Sequence, residues 1–296
     1  MRLGGTVLGT VNTGDPFAGI IDTSDGPKAY SDRCVEMFHR MNLGALVVIG
    51  GDGTLAIAHQ FARRGIPIVG VPKTIDNDIV GTTNCFGFDT AVAFATDAID
   101  RLHTTAEAHR RIMVVEVMGR YAGWIALHAG VAGGADAILI PEIPFNLSLV
   151  ADRLRDRDRW GARFSIVVVA EGAIAAGGRL ALLEEATAGR VERLGGVGAR
   201  VSDALATLTG KETRSVMLGH LQRGGAPTSF DRVLATRFGA KSVELVIQGE
   251  FGTMVAFAPP DIVARPLHEV VGKIRTVPRD SDLLLAAKAL GVAFGD

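Results

Sequence analysis

The amino-acid sequence predicts an α/β fold, an open and largely parallel sheet covered by helices. Three observations carry the prediction. Short β-branched runs alternate with longer amphipathic segments, which is the order of βαβ units. The strand runs are apolar almost throughout, as expected of strands buried on both faces. The length, 296 residues, corresponds to about two domains at roughly 150 residues each.

The elements follow in order. A helix is predicted over Asp32–Met41 and a strand over Ala45–Ile49, where Gly50-Gly51 breaks the run before a helix at Thr54–Arg64. The next strand, Ile66–Val71, stops at Pro72, and the 3.6-residue pattern resumes over Asp89–Ala106. Ile112–Val117 and Ala137–Ile140 are aliphatic runs of strand length. In the helix Ser148–Trp160, the charge run Asp152–Arg159 reads as a solvated face. Ser165–Ala170 is a strand, and the Gly- and charge-rich stretch Thr187–Val197 reads as a surface loop. The helix Val197–Leu208, the strand Ser215–Leu218, the helix Asp231–Gln248, a loop at Phe251–Thr253 and the strand Met254–Ala258 complete the pattern.

Composition excludes several classes of function. Lys and Arg number 31 against 32 Asp and Glu, so there is no electrostatic footprint for nucleic acid or an anionic membrane. Cys34 and Cys85 cannot build a disulfide framework or a four-thiolate zinc site. No apolar run approaches the ~18–20 residues of a membrane span, and the first residues lack a signal core. A cytoplasmic setting is the expectation. Glycine is the outlier, with 37 residues and no Gly-X-Y period.

In open α/β sheets ligands bind beyond the carboxyl ends of the strands, and unusual residues stand there repeatedly. Gly50-Gly51-Asp52-Gly53-Thr54 follows the first strand and opens a helix, where free amides and the helix dipole favour phosphate. Asp52 would serve there as a metal ligand bridging to phosphate, or as a simple helix cap. Pro72-Lys73-Thr74-Ile75-Asp76-Asn77-Asp78 follows the second strand, placing two carboxylates beside a Lys and a Thr. One carboxylate can bind metal and the other can accept a proton, although Asp and Asn also suit an ordinary turn. Met118-Gly119-Arg120 after Ile112–Val117 can bring backbone and a cation close to phosphate, and Glu171 after Ser165–Ala170 can bond hydroxyls. His220 and Arg223, three apart after Ser215–Leu218, offer two cationic donors, with Arg214 just upstream. His39, His59, His103, His109, His128 and His268 lack such a context and read as structural or surface residues. Together the strand ends describe a site for two phosphorylated compounds and a metal ion.

At this point the sequence resembles the 6-phosphofructokinase family. The matching strings are GGDGT at 50–54, PKTIDNDI at 72–79, GFDTA at 87–91, VVEVMGR at 114–120 and ETRSVMLGHLQRGG at 212–225, in the family's order and spacing. The C-terminal LGVAFGD looks like the bacterial mixed-substrate branch. An NAD or lipid kinase would explain GGDGT but neither TIDND nor GHLQRGG. The resemblance implies two doubly wound, Rossmann-like, three-layer domains with the active site in the cleft between them. It places a donor domain at 1–87 plus 223–270 and a fructose 6-phosphate domain at 88–222 plus 271–296.

The resemblance also implies roles. Asp76 would take the proton from the fructose 1-hydroxyl, and Asp52 and Asp78 would serve Mg²⁺. Thr74 would contact the transferring phosphoryl group or the sugar. Gly51, Asp52, Gly53, Thr54 and Lys73 would face the donor. Met118, Gly119 and Arg120 would hold the sugar phosphate and the transition state, with Glu171 on sugar hydroxyls. His220 and Arg223 would bind the 6-phosphate, while Arg111 and Arg214 would reach it from a neighbouring subunit of a homodimer or homotetramer. Gly53 leaves room for an ATP α-phosphate where pyrophosphate-dependent members often carry Asp, whereas Lys73 is the residue those members carry. The balance favours ATP, with pyrophosphate as the alternative donor. Two departures stand out. The family's opening strand and its GGDxPG-type loop are not found upstream of Gly4–Gly9, and Asn12 stands where many relatives have Arg. These departures motivate a further alternative, a non-catalytic subunit or sensor that still binds sugar phosphate.

Overall fold

The computed structural model describes residues 4–11, 14–23, 26–184 and 193–296. Asn12, and residues 187–192 of the predicted loop, lie outside the described residues. A hairpin of β1 (Ile20–Thr23) and β2 (Gly26–Ala29) leads into α1 (Tyr30–Arg40). β3 (Leu46–Gly50), α2 (Asp52–Ala62), β4 (Ile68–Thr74) and β5 (Phe86–Gly87) follow. Next come α3 (Phe88–His109), β6 (Ile112–Val117), α4 (Trp124–Ala132), β7 (Ala137–Leu139), α5 (Leu147–Arg159) and β8 (Ser165–Ala170). β9 (Leu182–Glu184) pairs with β10 (Arg193–Leu194) ahead of α6 (Val197–Thr209) and β11 (Thr213–Met217). A 3₁₀ turn at Gly219–Arg223 precedes α7 (Ser229–Gln248), β12 (Thr253–Ala258), β13 (Asp261–Pro266), α8 (Leu267–Val270) and α9 (Asp282–Ala289).

Two main sheets result. The first runs β13-β12-β4-β3, with β5 paired to the end of β4. All its pairings are parallel except β12 with β13. The second runs β11-β6-β8-β7 and is wholly parallel.

In the second sheet β6, β7 and β8 are buried on both faces, as are β4 and β12 in the middle of the first, whereas the edge strand β3 leaves Val47 and Ile49 exposed on one face. In the second, Met113, Val115 and Val117 pack with α3, α4 and α9 on one side, while Ile112 and Val114 pack with α5 and α6 on the other. The crossover through α4 runs towards β7, and those through α5 and α6 run back. Right-handed connections therefore put these helices on opposite faces. In the first sheet, Ile68 and Met254 meet α1 and α2, whereas Val69 and Val255 meet Leu234 and Phe238 of α7. The architecture is α/β with two doubly wound, three-layer halves.

Some elements differ from expectation. β4 continues through Pro72-Lys73-Thr74 because Lys73 and Thr74 find partners in Phe86 and Gly87. The strand predicted at Ser215–Leu218 starts earlier, at Thr213, and the predicted loop residue Thr253 opens β12. Helix α4 was not predicted. Its sequence WIALHAGVA is apolar on every side and buried, so it lacks the one-sided stripe of a surface helix. The hairpin strand β13 was missed because Asp261 and Arg265 interrupt its apolar run. Among the described residues no helix is long and apolar enough to cross a membrane.

Candidate active site

The carboxyl ends of the two sheets face each other, and every strand-end motif except the Arg111/Arg214 pair lies there. On the first sheet, Gly51 caps α2 with no side-chain hydrogen bond, so Asp52 is not the cap. The first amides of α2 therefore have no side-chain acceptor, and Asp52, Gly53 and Thr54 are exposed at that end. Lys73 is exposed beside them, and Thr74 is half-buried.

After β4 the chain folds into a tight loop. The Asp76 amide donates to Thr74 Oγ1 at 3.1 Å. Asn77 adopts a left-handed conformation (φ 56°), which Asn tolerates better than most residues. Its Oδ1 accepts from the Cys85 amide at 2.9 Å, drawing the 83–85 segment against the loop. Asp76 and Asp78 are thereby buried, at 6% and 5% exposure, and one carboxylate oxygen of each, Oδ1, has no hydrogen-bond partner. Burial is the main reason the Asp76 carboxyl is pushed up to about 6, helped by Glu171 and opposed by Arg223, Arg120 and the Thr74 hydroxyl. Asp78 is pushed up to about 7 by burial and by repulsion from Asp76 and Asp52. The three acidic groups thus sense one another across the loop and the start of α2.

The second sheet supplies the opposite wall. Met118 is buried, and Gly119 takes φ 140°, where an added Cβ would also stand 2.6 Å from the Ala122 carbonyl oxygen, so the turn requires glycine. Arg120 is also left-handed (φ 50°), and its amide donates to Glu171 Oε1 at 3.0 Å. A Cβ on Gly172 would come within 1.9 Å of the Arg120 carbonyl oxygen, so this crossing of two strand-end loops requires glycine. Burial raises the Glu171 carboxyl, offset in part by the Arg120 and Gly119 amides. Glu171 therefore frames the Arg120 turn as well as facing the cleft. The Arg120 guanidinium crosses the cleft to within 4.0 Å of Asp52.

His220 and Arg223 sit on the 3₁₀ turn, where residues three apart lie on one side. Both are exposed, and the Arg223 guanidinium favours the ionised form of both Asp76 and Glu171, pulling their pKa values down against the effect of burial. Arg111 and Arg214 lie elsewhere, at the opposite ends of β6 and β11. There both pair with Glu212, at 2.7 Å and 2.5 Å respectively. Five or six strand residues, roughly 17–20 Å, separate them from the cleft of their own chain.

Two residues that the sequence motifs did not single out matter here. Arg275, from the segment after α8, donates to the Asn77 carbonyl from Nε at 3.1 Å and Nη2 at 3.0 Å. Glu116, inside the VVEVMGR string, accepts from the amides of Gly196 (3.0 Å) and Gly198 (2.7 Å) and so caps α6. A lone carboxylate in an otherwise apolar strand was the one available hint of that cap.

The site fits a small divalent cation that shares its shell with phosphate. Among the described residues no three acidic, His or Cys groups form a complete metal cage. Mg²⁺ typically takes one or two carboxylates and completes its shell from phosphate and water. The partnerless Oδ1 of Asp78 is an oxygen of that kind, and Asp52 lies near enough to repel it.

The comparisons agree with this geometry. The family model described as phosphofructokinase matches residues 1–246. An ATP-dependent 6-phosphofructokinase of Chloroflexus aurantiacus is 53% identical over 293 residues, covering 99% of this chain and 80% of that protein. A pyrophosphate–fructose 6-phosphate 1-phosphotransferase of Amycolatopsis mediterranei is 53% identical over 250 residues, covering 83% of this chain and 72% of that protein. The solved phosphofructokinase of Saccharomyces cerevisiae superposes with a TM-score of 0.74 at 30% identity over 90% of this chain. The match spans 36% of that much longer chain. With the family model covering most of the sequence and the strand-end motifs assembled in one cleft, the chain belongs to the phosphofructokinase family.

Proposed function

We propose that this chain transfers the terminal phosphoryl group of ATP to the 1-hydroxyl of fructose 6-phosphate, giving fructose 1,6-bisphosphate. The observation that carries the reading is the pair of buried carboxylates at the end of β4, facing Arg120, Glu171 and Arg223 across the cleft. Phosphoryl transfer is mainly positioning and charge stabilisation, and these groups supply both.

Asp76 is the proton acceptor for the sugar hydroxyl. A carboxyl pushed up to about 6 is a stronger base than a solvated one yet remains mostly ionised at neutral pH. Asp52 and Asp78 would hold Mg²⁺, which when bound neutralises charge on the donor phosphates. The α2 amides at Gly51–Thr54, with Lys73, receive the donor. Thr74 orients the Asp76 loop and borders the transferring group. Met118, Gly119 and Arg120 hold the acceptor and the transition state, and Glu171 takes sugar hydroxyls. His220 and Arg223 take the 6-phosphate. Arg111 and Arg214 lie far from their own cleft, and in this reading they complete the site of a second subunit in a homodimer or homotetramer. The first sheet with α7 forms the donor side (1–87 plus 223–270), and the second sheet with the tail forms the sugar-phosphate side (88–222 plus 271–296).

Pyrophosphate is the second donor to weigh, because a relative named for it is as similar, at 53%, as one named for ATP. A Cβ at Gly53 would meet open space, so nothing from that residue blocks a nucleotide at the α2 terminus. The test is a coupled assay with fructose 6-phosphate and Mg²⁺, run separately with ATP and with pyrophosphate. Turnover with ATP well above that with pyrophosphate supports the reading, and the reverse reassigns the donor. Binding of fructose 6-phosphate with no turnover from either donor indicates a non-catalytic subunit.

A further inference from the structure

We propose that Arg275 is a positioning residue of the phosphoryl-transfer site, fixing the backbone of the Asp76–Asp78 loop so that its carboxylates stand ready for a divalent cation and the acceptor. The inference rests on the function proposed above and adds a residue outside the 1–246 family match.

The Arg275 side chain spends its fork on backbone oxygens. Nε and Nη2 reach the Asn77 carbonyl, and Nη2 also reaches the Thr83 carbonyl at 2.8 Å. Its own amide donates to the Asp78 carbonyl at 2.8 Å, and the adjacent Ile274 bridges Ile79. Both flanks of the loop are therefore held by one residue almost 200 positions further along the chain.

The same residue reaches the opposite half of the molecule. Its guanidinium lies over the Trp124 ring, 4.3 Å from the centroid, and Trp124 Nε1 donates to the Arg275 carbonyl at 2.9 Å. Trp124 opens α4 directly after the Gly119–Gly123 turn that presents Arg120. Glu142 Oε1 then accepts from both the Gly123 amide (2.9 Å) and the Val277 amide (2.8 Å). The carboxylate loop, the tail and the Arg120 turn thus form one hydrogen-bonded unit.

The physical need is clear from the charges. Two buried carboxylates two residues apart repel each other and a third at Asp52, and an unrestrained loop would relax apart. Backbone oxygens of Asn77 and Thr83 left without donors would also cost free energy in a partly buried loop. A planar fork can serve both carbonyls and stack on an indole, whereas a Lys ammonium cannot reproduce that geometry.

The test compares Arg275→Lys with Arg279→Ala. Arg279 anchors the same tail to the Glu142 carbonyl, at 3.1 Å and 2.7 Å, without touching the loop. In a coupled assay, Arg275→Lys is expected to lower kcat by roughly 10–100-fold, the scale of an ångström-level misplacement. It should also raise the Mg²⁺ concentration for half-activation several-fold, with little change in KM for fructose 6-phosphate. Arg279→Ala should leave kcat and the Mg²⁺ requirement unchanged even if the protein melts earlier. Independently of turnover, Mn²⁺ titration in the presence of pyrophosphate, followed by water-proton relaxation, should show weaker binding in Arg275→Lys alone. The proposal is overturned if Arg275→Lys matches the unmodified protein in Mn²⁺ affinity, or if Arg279→Ala shows the same changes. If the unmodified protein transfers no phosphoryl group, the proposed function fails while the Mn²⁺ comparison still decides the role of Arg275. A protein that binds no Mn²⁺ overturns it as well.

Discussion

The two walls of the cleft hold charge in opposite ways. On the first sheet, Asp76 and Asp78 are buried in a loop pinned by Thr74, Cys85 and Arg275. On the second, His220 and Arg223 are exposed on one short 3₁₀ turn, whose internal support is Leu221 to Leu218, Gly224 to Leu221 and the buried Gln222. Like charges that must stand together against repulsion and desolvation need a rigid frame. Cations that meet an incoming phosphate need access more than rigidity, since the ligand itself completes their partners. The acidic wall should therefore govern the chemical step, and the basic wall should govern binding.

The largest effect that could break this contrast is on the acidic wall. Asp76→Asn should lower kcat by about 10²–10⁴, the usual contribution of a positioned base. Fructose 6-phosphate binding, followed by calorimetry, should stay within a few-fold. A variant retaining most of its turnover would remove Asp76 from the base role.

On the basic wall the split should reverse. Arg223→Ala should raise KM for fructose 6-phosphate by roughly 10–100-fold, consistent with about 1.5–3 kcal/mol for a hydrogen bond to a charged group. It should change kcat less and leave the melting temperature nearly unchanged, because the side chain is exposed. A loss confined to kcat would contradict the division of labour.

The contrast also explains what could be read from sequence. The motif residues were legible because strand ends in an α/β sheet concentrate ligands, and GGDGT, TIDND and GHLQRGG each follow a recognisable apolar strand. The frame behind them was not. Arg275 meets Asn77 across 198 positions, and nothing local to KIRTVP marks it. Glu116 received no role from the sequence, and it caps α6 from 80 or more positions away. Arg111 and Arg214 illustrate a further limit. Their motif is legible, but it sits at the wrong end of the strands for their own chain. Helix α4 escaped because an all-apolar helix carries no amphipathic signal, although it places Trp124 under Arg275.

A milder test asks whether the Arg120 turn depends on its crossing with Glu171-Gly172. Gly172→Ala would drive a methyl group to 1.9 Å from the Arg120 carbonyl oxygen, and neither backbone can move without shifting Arg120. A loss of about 1–3 kcal/mol in stability is expected from such overpacking. Urea denaturation measures it, and kcat should fall along with it. An unchanged unfolding midpoint would mean that the two loops do not need this contact.

The smallest effect concerns the stored repulsion itself, read in the protein without metal or substrate. Asp76 and Asp78 are pushed up to about 6 and about 7, against about 3.9 in an unfolded chain. The folded state therefore binds their protons more tightly than the unfolded state does. This contribution to stability is present in full below about pH 4 and is lost as pH rises through about 7. Asp78→Asn removes its own share of that loss and relieves Asp76 of a neighbouring charge. At pH 8 the variant should melt a few degrees above the unmodified protein, on a scale of roughly 2–4 °C per kcal/mol. By pH 4.5 most of the difference should be gone. A gain that is equal at both pH values would assign it to packing instead of charge, and a loss at pH 8 would mean that the ionised carboxylate is already stabilised within the loop. Adding Mg²⁺ with ATP should raise the melting temperature of the unmodified protein more than that of the variant, because the variant loses Asp78, one of the two carboxylates, with Asp52, assigned to the cation.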